Sequence, residues 1–592
     1  MEMYSYLKRI DERLSAGDRR QLADIYAPMP VAVPDEEPWD HLCVTPDGRI
    51  RFYGEYGKGS VFEHGIPCYL ESCDGGLSWK RQFPDGGSLG ASTYIPFLDR
   101  YMAIREEAEG VFALTGESPD DAHPRRRRIC GRECFEFRQI LPLEDRRRIL
   151  VTAHEHRDQP VCSSAYFPVV FYSDDGGESW TCVHLGAAPW HEPRWPHKGF
   201  RWQQNNREHT IAPLSDGTLL MLSRTATDYH YQSFSRDGGE SWSEFVPSVF
   251  HATGTMPTLK RLSDGRLLLF WCNTRPLPEQ DKSAAFPPLG QDMATGVWED
   301  VFTNRDVNHC AVSDDDGKSW QGFRELCLNP IRNASDFRSF GGPELSRDTS
   351  VHQFEALELP MGKMLVAYGQ NAPCRRIAIF DLDWLYETCR SEDFIHGLAA
   401  LSTYTYVKSV SGGYRGGPSN PLAFSGHCAW NRTHGALLLP NPEGDGGEAL
   451  HICRTDDERL YSNLGGAVWN FPAAAGGRVT VRLHIGGKGL RLSLLDCWMN
   501  PCDDTVSYYA NFSTVVQGSM LSGQDFYTDL TLSFDCDAAT VSIDAGEYLH
   551  LVRRMEVRPP NGLCYLHLQS AATEKDMEGT YIRSLQFVSE RT

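Results

Sequence analysis

The chain has 592 residues, a formal net charge of −21 at pH 7, and 41% hydrophobic residues. That length exceeds a single ordinary core, so two or more domains with ample apolar content to bury are expected. The acidic balance argues against nucleic acid or an anionic membrane surface as a partner, since both demand concentrated positive charge.

The N-terminal segment, residues 1–30, begins MEMYSYLKRIDERLSAGD and sets Tyr4, Leu7, Ile10 and Leu14 on one face of a short amphipathic helix. It has no apolar run of signal-peptide length, and no stretch of the chain is long enough to span a bilayer. The chain as given is therefore expected to be soluble and cytoplasmic, with secretion the alternative if a signal has been removed. Next come three copies of one pattern, an apolar strand, a DG turn and a second apolar strand: HLCVTPDGRIRFYG from His41, HTIAPLSDGTLLMLSR from His209, and TLKRLSDGRLLLFW from Thr258. Each reads as a β-hairpin.

An eight-residue phrase, SxDxGxSW, occurs four times, at Ser72–Trp79, Ser173–Trp180, Ser235–Trp242 and Ser313–Trp320. Its Asp offers acceptors to turn N–H groups, its Gly takes positive φ, and its Trp pins the turn against the next strand, so the phrase is structural. The box serines lie 101, 62 and 78 residues apart. The long first gap accommodates a box-less unit at ASTYIPFLDRYMAIREEAEGVFALTGES, and VHQFEALELPMGKMLVAYGQ with RRIAIFDLDW supplies a last one. The basic runs PRRRR (124–128) and DRRR (145–148) read as solvated loops. The 18 cysteines show no paired CxxC spacing, which leaves a structural zinc site without support and suggests mostly buried thiols. The HEH at 154–156 could set two imidazoles on one strand face, but no third ligand accompanies it.

The repeated phrase resembles the Asp-box of the sialidase superfamily. The resemblance implies an all-β fold, a six-bladed β-propeller over about residues 31–400. Beyond the Gly/Ser/Pro-rich SVSGGYRGGPSNP, segments such as VTVRLHI and LTLSFD alternate at period two and suggest a β-sandwich over 401–592, similar to the lectin-like sandwiches of propeller glycosidases.

In a propeller the ligand site lies where inner strands begin and second strands end. The positions to inspect are Asp40, His41, Glu55, Arg105, Glu106, His154, Glu155, His156, Arg207, Glu208, His209, Arg224, Asn273, Arg275, Arg305, His352, Gln353 and Gln370. Sialidases clamp a substrate carboxylate with three arginines, because planar guanidinium groups bind it through paired charged hydrogen bonds. They also use a tyrosine nucleophile beside a glutamate, and an aspartate as general acid and base. Glu208 opening one strand and Arg224 closing its partner match the family's glutamate and second arginine. Arg305 matches the third, with Arg275 competing and Arg207 nearby. The first-blade arginine is missing, with Asp40 and His41 in its place. So is the tyrosine, where Val351, His352 and Gln353 stand. The general acid is open among Asp40, Glu55 and Glu63.

The resemblance thus implies an exo-acting glycoside hydrolase releasing a terminal acidic sugar from a glycan. Arg224 and Arg305 would hold the carboxylate, and Glu208 would activate water directly or through His352. One alternative is a lyase on a uronate linkage such as rhamnose-glucuronate, with a histidine removing the proton beside a neutralised carboxylate. Another is a non-catalytic carbohydrate-binding propeller. No motif demands a cofactor or metal, and a homo-oligomer is compatible with the sequence.

Overall fold

The computed structural model describes residues 4–35, 42–57, 65–84, 86–156, 166–189, 191–192, 206–276, 304–328, 351–369, 374–403, 405–407, 431–433, 435–455, 465–521 and 525–590. The fold is all-β, preceded by two helices, α1 (Ser5–Arg13) and α2 (Ala16–Ala23), where the pattern predicts one. Ser15 and Asp18 form the capping box that starts the second helix.

Six antiparallel sheets follow, each with four main strands. The first begins at Leu42–Val44, the second at Thr93–Ile95, the fourth at Arg207–Pro213, the fifth at Thr258–Arg261 and the sixth at Glu355–Leu359. The third differs: Cys134–Phe135 and Ile140–Leu143 both pair with Arg148–His156. Apolar clusters join each sheet to the next. Tyr53 meets Tyr101, Ala113 meets Val151, Val170 meets Ile211, Leu222 meets Leu269, and Phe270 meets Phe380. The cycle closes where Leu365 and Ile379 of the sixth sheet share a cluster with Val44 and Phe52 of the first. The outermost strand of the sixth sheet is Met29–Ala32, which pairs with Arg376–Asp381.

The basic runs are corrected in part: Asp145, Arg146 and Arg147 lie in an exposed turn, as expected, but the rest differs. Arg125–Cys130 is not a loop but the outer strand of the second sheet, and its arginines pair with Glu107 and Glu178. Arg148 is buried, and its guanidinium binds both oxygens of Asp174 at 2.6 and 2.7 Å and Glu240 at 2.9 Å. Its place at the start of a core strand, opposite Leu143 and next to Ile149, which pairs with Ser173 of the box, removes it from solvent. Most of the described cysteines are buried and free, as expected.

A second unit contains a larger sheet built around Gly476–Ile485 and Asp576–Ser589, and a five-stranded sheet built around Gly466–Ala474 and Leu563–Ser570. One cluster, including Trp469, Phe471, Val479, Leu566 and Phe587, joins the two sheets. Cys389–Glu392 already pairs with Asp576–Ser589, so the chain enters this unit before residue 400.

Each SxDxGxSW phrase joins the third strand of a sheet to its fourth. The serine hydroxyl accepts the N–H of the glycine four residues on at 2.8 Å in every copy and donates to the aspartate at 2.8–2.9 Å. The carboxylate accepts the N–H of the second serine at 2.9 Å, and the indole donates to the glycine carbonyl. Burial alone would raise the Asp175 and Asp237 carboxyls, but hydrogen bonds led by those from Ser179 and Ser241 outweigh it and hold both at about 2. A depressed carboxyl stabilises the fold above its unfolded value, and that contribution fades as pH falls through the folded one. Asp175→Ala should therefore cost about 1 kcal/mol at neutral pH. In urea titrations the gap from the parent should narrow between about pH 4 and pH 2.

Candidate active site

The first strands of all six sheets line a central cavity of about 300 Å³. One end is covered by Tyr4, Tyr6 and Arg9. The Tyr4 hydroxyl donates to the Arg261 carbonyl at 2.7 Å, at the finish of an inner strand. Gly48, in the first DG turn at φ +82°, lies so close that a Cβ would stand 2.3 Å from the Arg9 carbonyl oxygen. The helical segment thus occupies the end where inner strands finish. Arg138, Glu208 and His209 line the other end, where the inner strands of the third and fourth sheets start.

Glu208 sits in a β-bulge. Arg207 pairs with Arg224 and Thr210 with Leu222, so Glu208 and His209 together oppose Ser223. Glu208 has φ +46°, a left-handed conformation that costs a non-glycine residue about 1 kcal/mol. Gln353, in the segment before the sixth inner strand, is also left-handed, at φ +67°. The bulge aims the Glu208 carboxylate inward, where it is 4% exposed. One oxygen accepts from Arg224 at 2.6 Å and the other from Arg138 at 3.0 Å. The Glu208 N–H donates to His154 Nε2 at 2.8 Å, which places the proton of a neutral His154 on Nδ1. Arg207 turns to Glu136, with Nε 3.0 Å from its carboxylate.

Burial pushes the Glu208 carboxyl upward, but the charges of Arg224, Arg138, Arg207 and His352 prevail and hold it well below the usual range. Arg224 is brought down to about 10, by burial first and by neighbouring Arg305 and Arg207, against the pull of Glu208, and stays charged at neutral pH. Burial also lowers His154, and takes His209 to about 4, so both are neutral. Four guanidinium groups, those of Arg138, Arg207, Arg224 and Arg305, therefore gather around Glu208 and Glu136. Among the described residues, even with Asp306, which together with Arg305 acts on Cys272, these guanidinium groups outnumber the carboxylates.

The structure brings Arg207, Glu208, Arg224, Arg305 and His352 together. His352 is fully buried, and its carbonyl accepts the Gly369 N–H at 3.1 Å. Arg275 is placed elsewhere, against Asp496, Cys497 and the Tyr509 ring of the C-terminal unit. Asn273 also faces that unit, donating to the Asp496 carbonyl. Arg105 holds the Ser88 and Leu89 carbonyls, Glu106 accepts the Phe137 N–H, and Glu155 pairs with His184 at 2.9 Å. Glu55 ends a strand of the first sheet. His209 points back to the Val169 carbonyl between sheets. Asp40, His41, Glu63, Gln370 and the His156 side chain lie outside the described residues. Sequence reasoning took from the third sheet only the end of its second strand, His154–His156, and missed Glu136 and Arg138 at the split inner edge. The signal available was the ECFEFRQ stretch, charged residues alternating with aromatic ones ahead of an apolar strand.

Residues 138–335 match the family described as BNR repeat-like domain. The match covers about one third of the chain. It starts at Arg138, spans the third, fourth and fifth sheets with three of the four boxes, and contains Glu208, Arg224 and Arg305. Among solved structures, the chain is similar to Trypanosoma rangeli sialidase at 11% identity, over 94% of this chain and 92% of that one, with a TM-score of 0.34. It is also similar to the intramolecular trans-sialidase from Ruminococcus gnavus at 13% identity, over 60% and 98%, with a TM-score of 0.33. A Dyadobacter fermentans protein of unknown function shares 15% identity over 60% and 97%, with a TM-score of 0.36. No curated protein matches the chain.

Replacing Glu208 by Gln leaves Arg224 buried without its counter-charge and should destabilise the fold by about 3 kcal/mol at pH 7. Because the folded carboxyl is depressed, wild-type stability should be full above about pH 4.3 and decline below it, while Glu208→Gln loses that acid-dependent component. Denaturant midpoints of the two proteins from pH 7 to pH 3 check both statements.

Proposed function

We propose that the chain is a sialidase-like glycoside hydrolase that releases a terminal acidic sugar from a glycan. In this reading the six sheets are blades of a six-bladed β-propeller, Met29–Ala32 completes the last blade, and the C-terminal unit is a lectin-like β-sandwich starting just before Cys389. The observation that carries the proposal is the ionised Glu208 held among four arginines at the open end of the central cavity. Their excess positive charge suits one more carboxylate, that of the sugar, and Arg138, Arg224 and Arg305 are positioned as its clamp. Glu208 stays anionic at neutral pH, so it serves as a base toward water, directly or through His352, and as a counter-charge to an oxocarbenium-like transition state. Asp40 is the proposed source of the proton for the leaving group.

Hydrolysis is favoured over elimination by the use made of the histidines. His154 and His209 are committed to contacts between sheets, which leaves His352, among the described residues, as the imidazole beside Glu208. Incubation with sialylated and rhamnose-glucuronate-capped oligosaccharides, followed by mass spectrometry, tests the choice. Gain of one water across the cleaved bond supports the hydrolase. A product pair lacking that water, with an unsaturated uronate, establishes a lyase, and no product from any acidic glycan leaves a binding protein. Arg138 is the variant of choice, because its side chain is 26% exposed and its loss spares the core. Arg138→Ala should lower kcat/KM on an acidic substrate by about 2–4 kcal/mol of transition-state stabilisation. Unchanged turnover would remove Arg138 from the clamp.

A further inference from the structure

Away from the cavity, three side chains of metal-ligating type converge where the fourth sheet meets the C-terminal unit. His251 ends the strand Val246–His251, and Asp496 and Cys497 directly follow the strand Leu490–Leu495. One donor atom from each lies within 4.8 Å of the other two. His251 Nε2 is 3.0 Å from Asp496 Oδ1.

The frame around these atoms is fixed from both sides. Trp271 Nε1 donates to the His251 carbonyl at 3.1 Å, and Asn511 Oδ1 accepts the Asp496 N–H at 2.9 Å. Trp498 N–H donates to the Asn273 carbonyl at 2.9 Å, and Asn273 Nδ2 donates to the Asp496 carbonyl at 2.8 Å. Two further polar atoms, His251 Nδ1 and Asn273 Oδ1, are buried without a hydrogen-bond partner, which is costly unless something else satisfies them. A site whose ligands are positioned by neighbouring hydrogen bonds needs little reorganisation to bind an ion.

The charge balance fits a dication. Arg275 stands beside Asp496 and Cys497, and Asp228 acts on Arg275 as a counter-charge. Asp496 and a Cys497 thiolate then supply the two negative charges that a divalent ion requires. Burial pushes the free thiol up to about 12, so without an ion it keeps its proton.

We propose that His251, Asp496 and Cys497 form a binding site for a divalent transition metal of the zinc class, clipping the fourth sheet to the C-terminal unit. One sulfur, one imidazole nitrogen and one carboxylate oxygen suit the borderline-soft, tetrahedral preference of that ion. On binding, the Cys497 thiol releases one proton to solvent, and the neutral imidazole coordinates through the nitrogen that carries none. The proposal is independent of the activity assigned to the cavity.

Cobalt(II) reports on it directly. The full chain, stripped with chelator and titrated with Co²⁺, should bind one equivalent with a thiolate-to-cobalt charge-transfer absorption that Zn²⁺ abolishes. The absorption should vanish in Cys497→Ser, and His251→Gln should weaken binding at least tenfold. Zn²⁺ should raise the melting temperature of the parent but not of Cys497→Ser, with Asp496→Asn as a second variant should the serine variant fail to fold. Absence of the absorption in the parent, or its retention in Cys497→Ser, overturns the site.

Discussion

The cavity exists because the two ends of a six-sheet series are made to meet. Met29–Ala32 comes from before the first sheet and pairs with Arg376–Asp381 at the outer edge of the sixth, with Met29 opposite Ile379 and Pro30 opposite Ala378. Pro30 lacks an N–H and is tolerated there because the strand is outermost and bulged. Lys363, nearly buried, bonds the Ile25 carbonyl and Asp381, and Asp381 N–H reaches the Tyr26 carbonyl at 2.8 Å. Without this closure the first and sixth sheets would lose their shared core, and the inner strands would no longer enclose a common space. A packed sheet edge is also an edge withheld from aggregation.

Within the closed ring, the buried ion cluster is a place where the chain gives up stability. A desolvated carboxylate costs several kcal/mol, and guanidinium partners repay this only with good geometry. The left-handed backbone at Glu208 adds a further cost of about 1 kcal/mol. Apolar side chains at the same positions would pack more cheaply, as Ile211 and Ala212 do further along the strand. The arrangement therefore favours a polar ligand that uses the excess positive charge over a purely structural role.

Much of this was legible in the sequence. The four SxDxGxSW phrases and three DG hairpins mark strand connections that all recur in the structure, because their hydrogen bonds are local and each residue type has one job. Glu208 and Arg224 were legible as ends of strands in such a hairpin, and Arg305 from its place eight residues before a box serine. What escaped depends on non-local packing. Arg138 reaches Glu208 across 70 residues, from a sheet whose inner edge is split in two. Arg148 looked like part of a solvated basic run, yet Asp174 and Glu240, on two neighbouring sheets, enclose it. Arg275 follows the end of the fifth sheet's second strand, Leu267–Trp271, but the C-terminal unit, more than 200 residues later, holds it away from the cavity.

That docking is itself polar and directional. Asn273 N–H donates to His309 Nδ1 at 3.0 Å, so the ring carries its proton on Nε2 and gives it to Tyr565 Oη at 2.5 Å; Tyr565 in turn donates to Glu325 at 2.7 Å. Asn470, opposite Tyr565 in the facing strand, donates to the Phe323 carbonyl and accepts the Glu325 N–H. Each of these groups is buried or nearly so, and separating the two units would exchange several bonds at once for bonds to water, at a net cost of about 0.5–1.5 kcal/mol apiece. Trp271, Phe323 and Trp498 add an apolar core to the same contact. A swinging module would need a contact it could leave cheaply, whereas this one couples the fifth sheet to the C-terminal unit through buried polar bonds and a shared apolar core. The unit then acts on the cavity through position, holding the strand ends from which Asn273 and Arg275 depart and, through Asn304, the backbone next to Arg305.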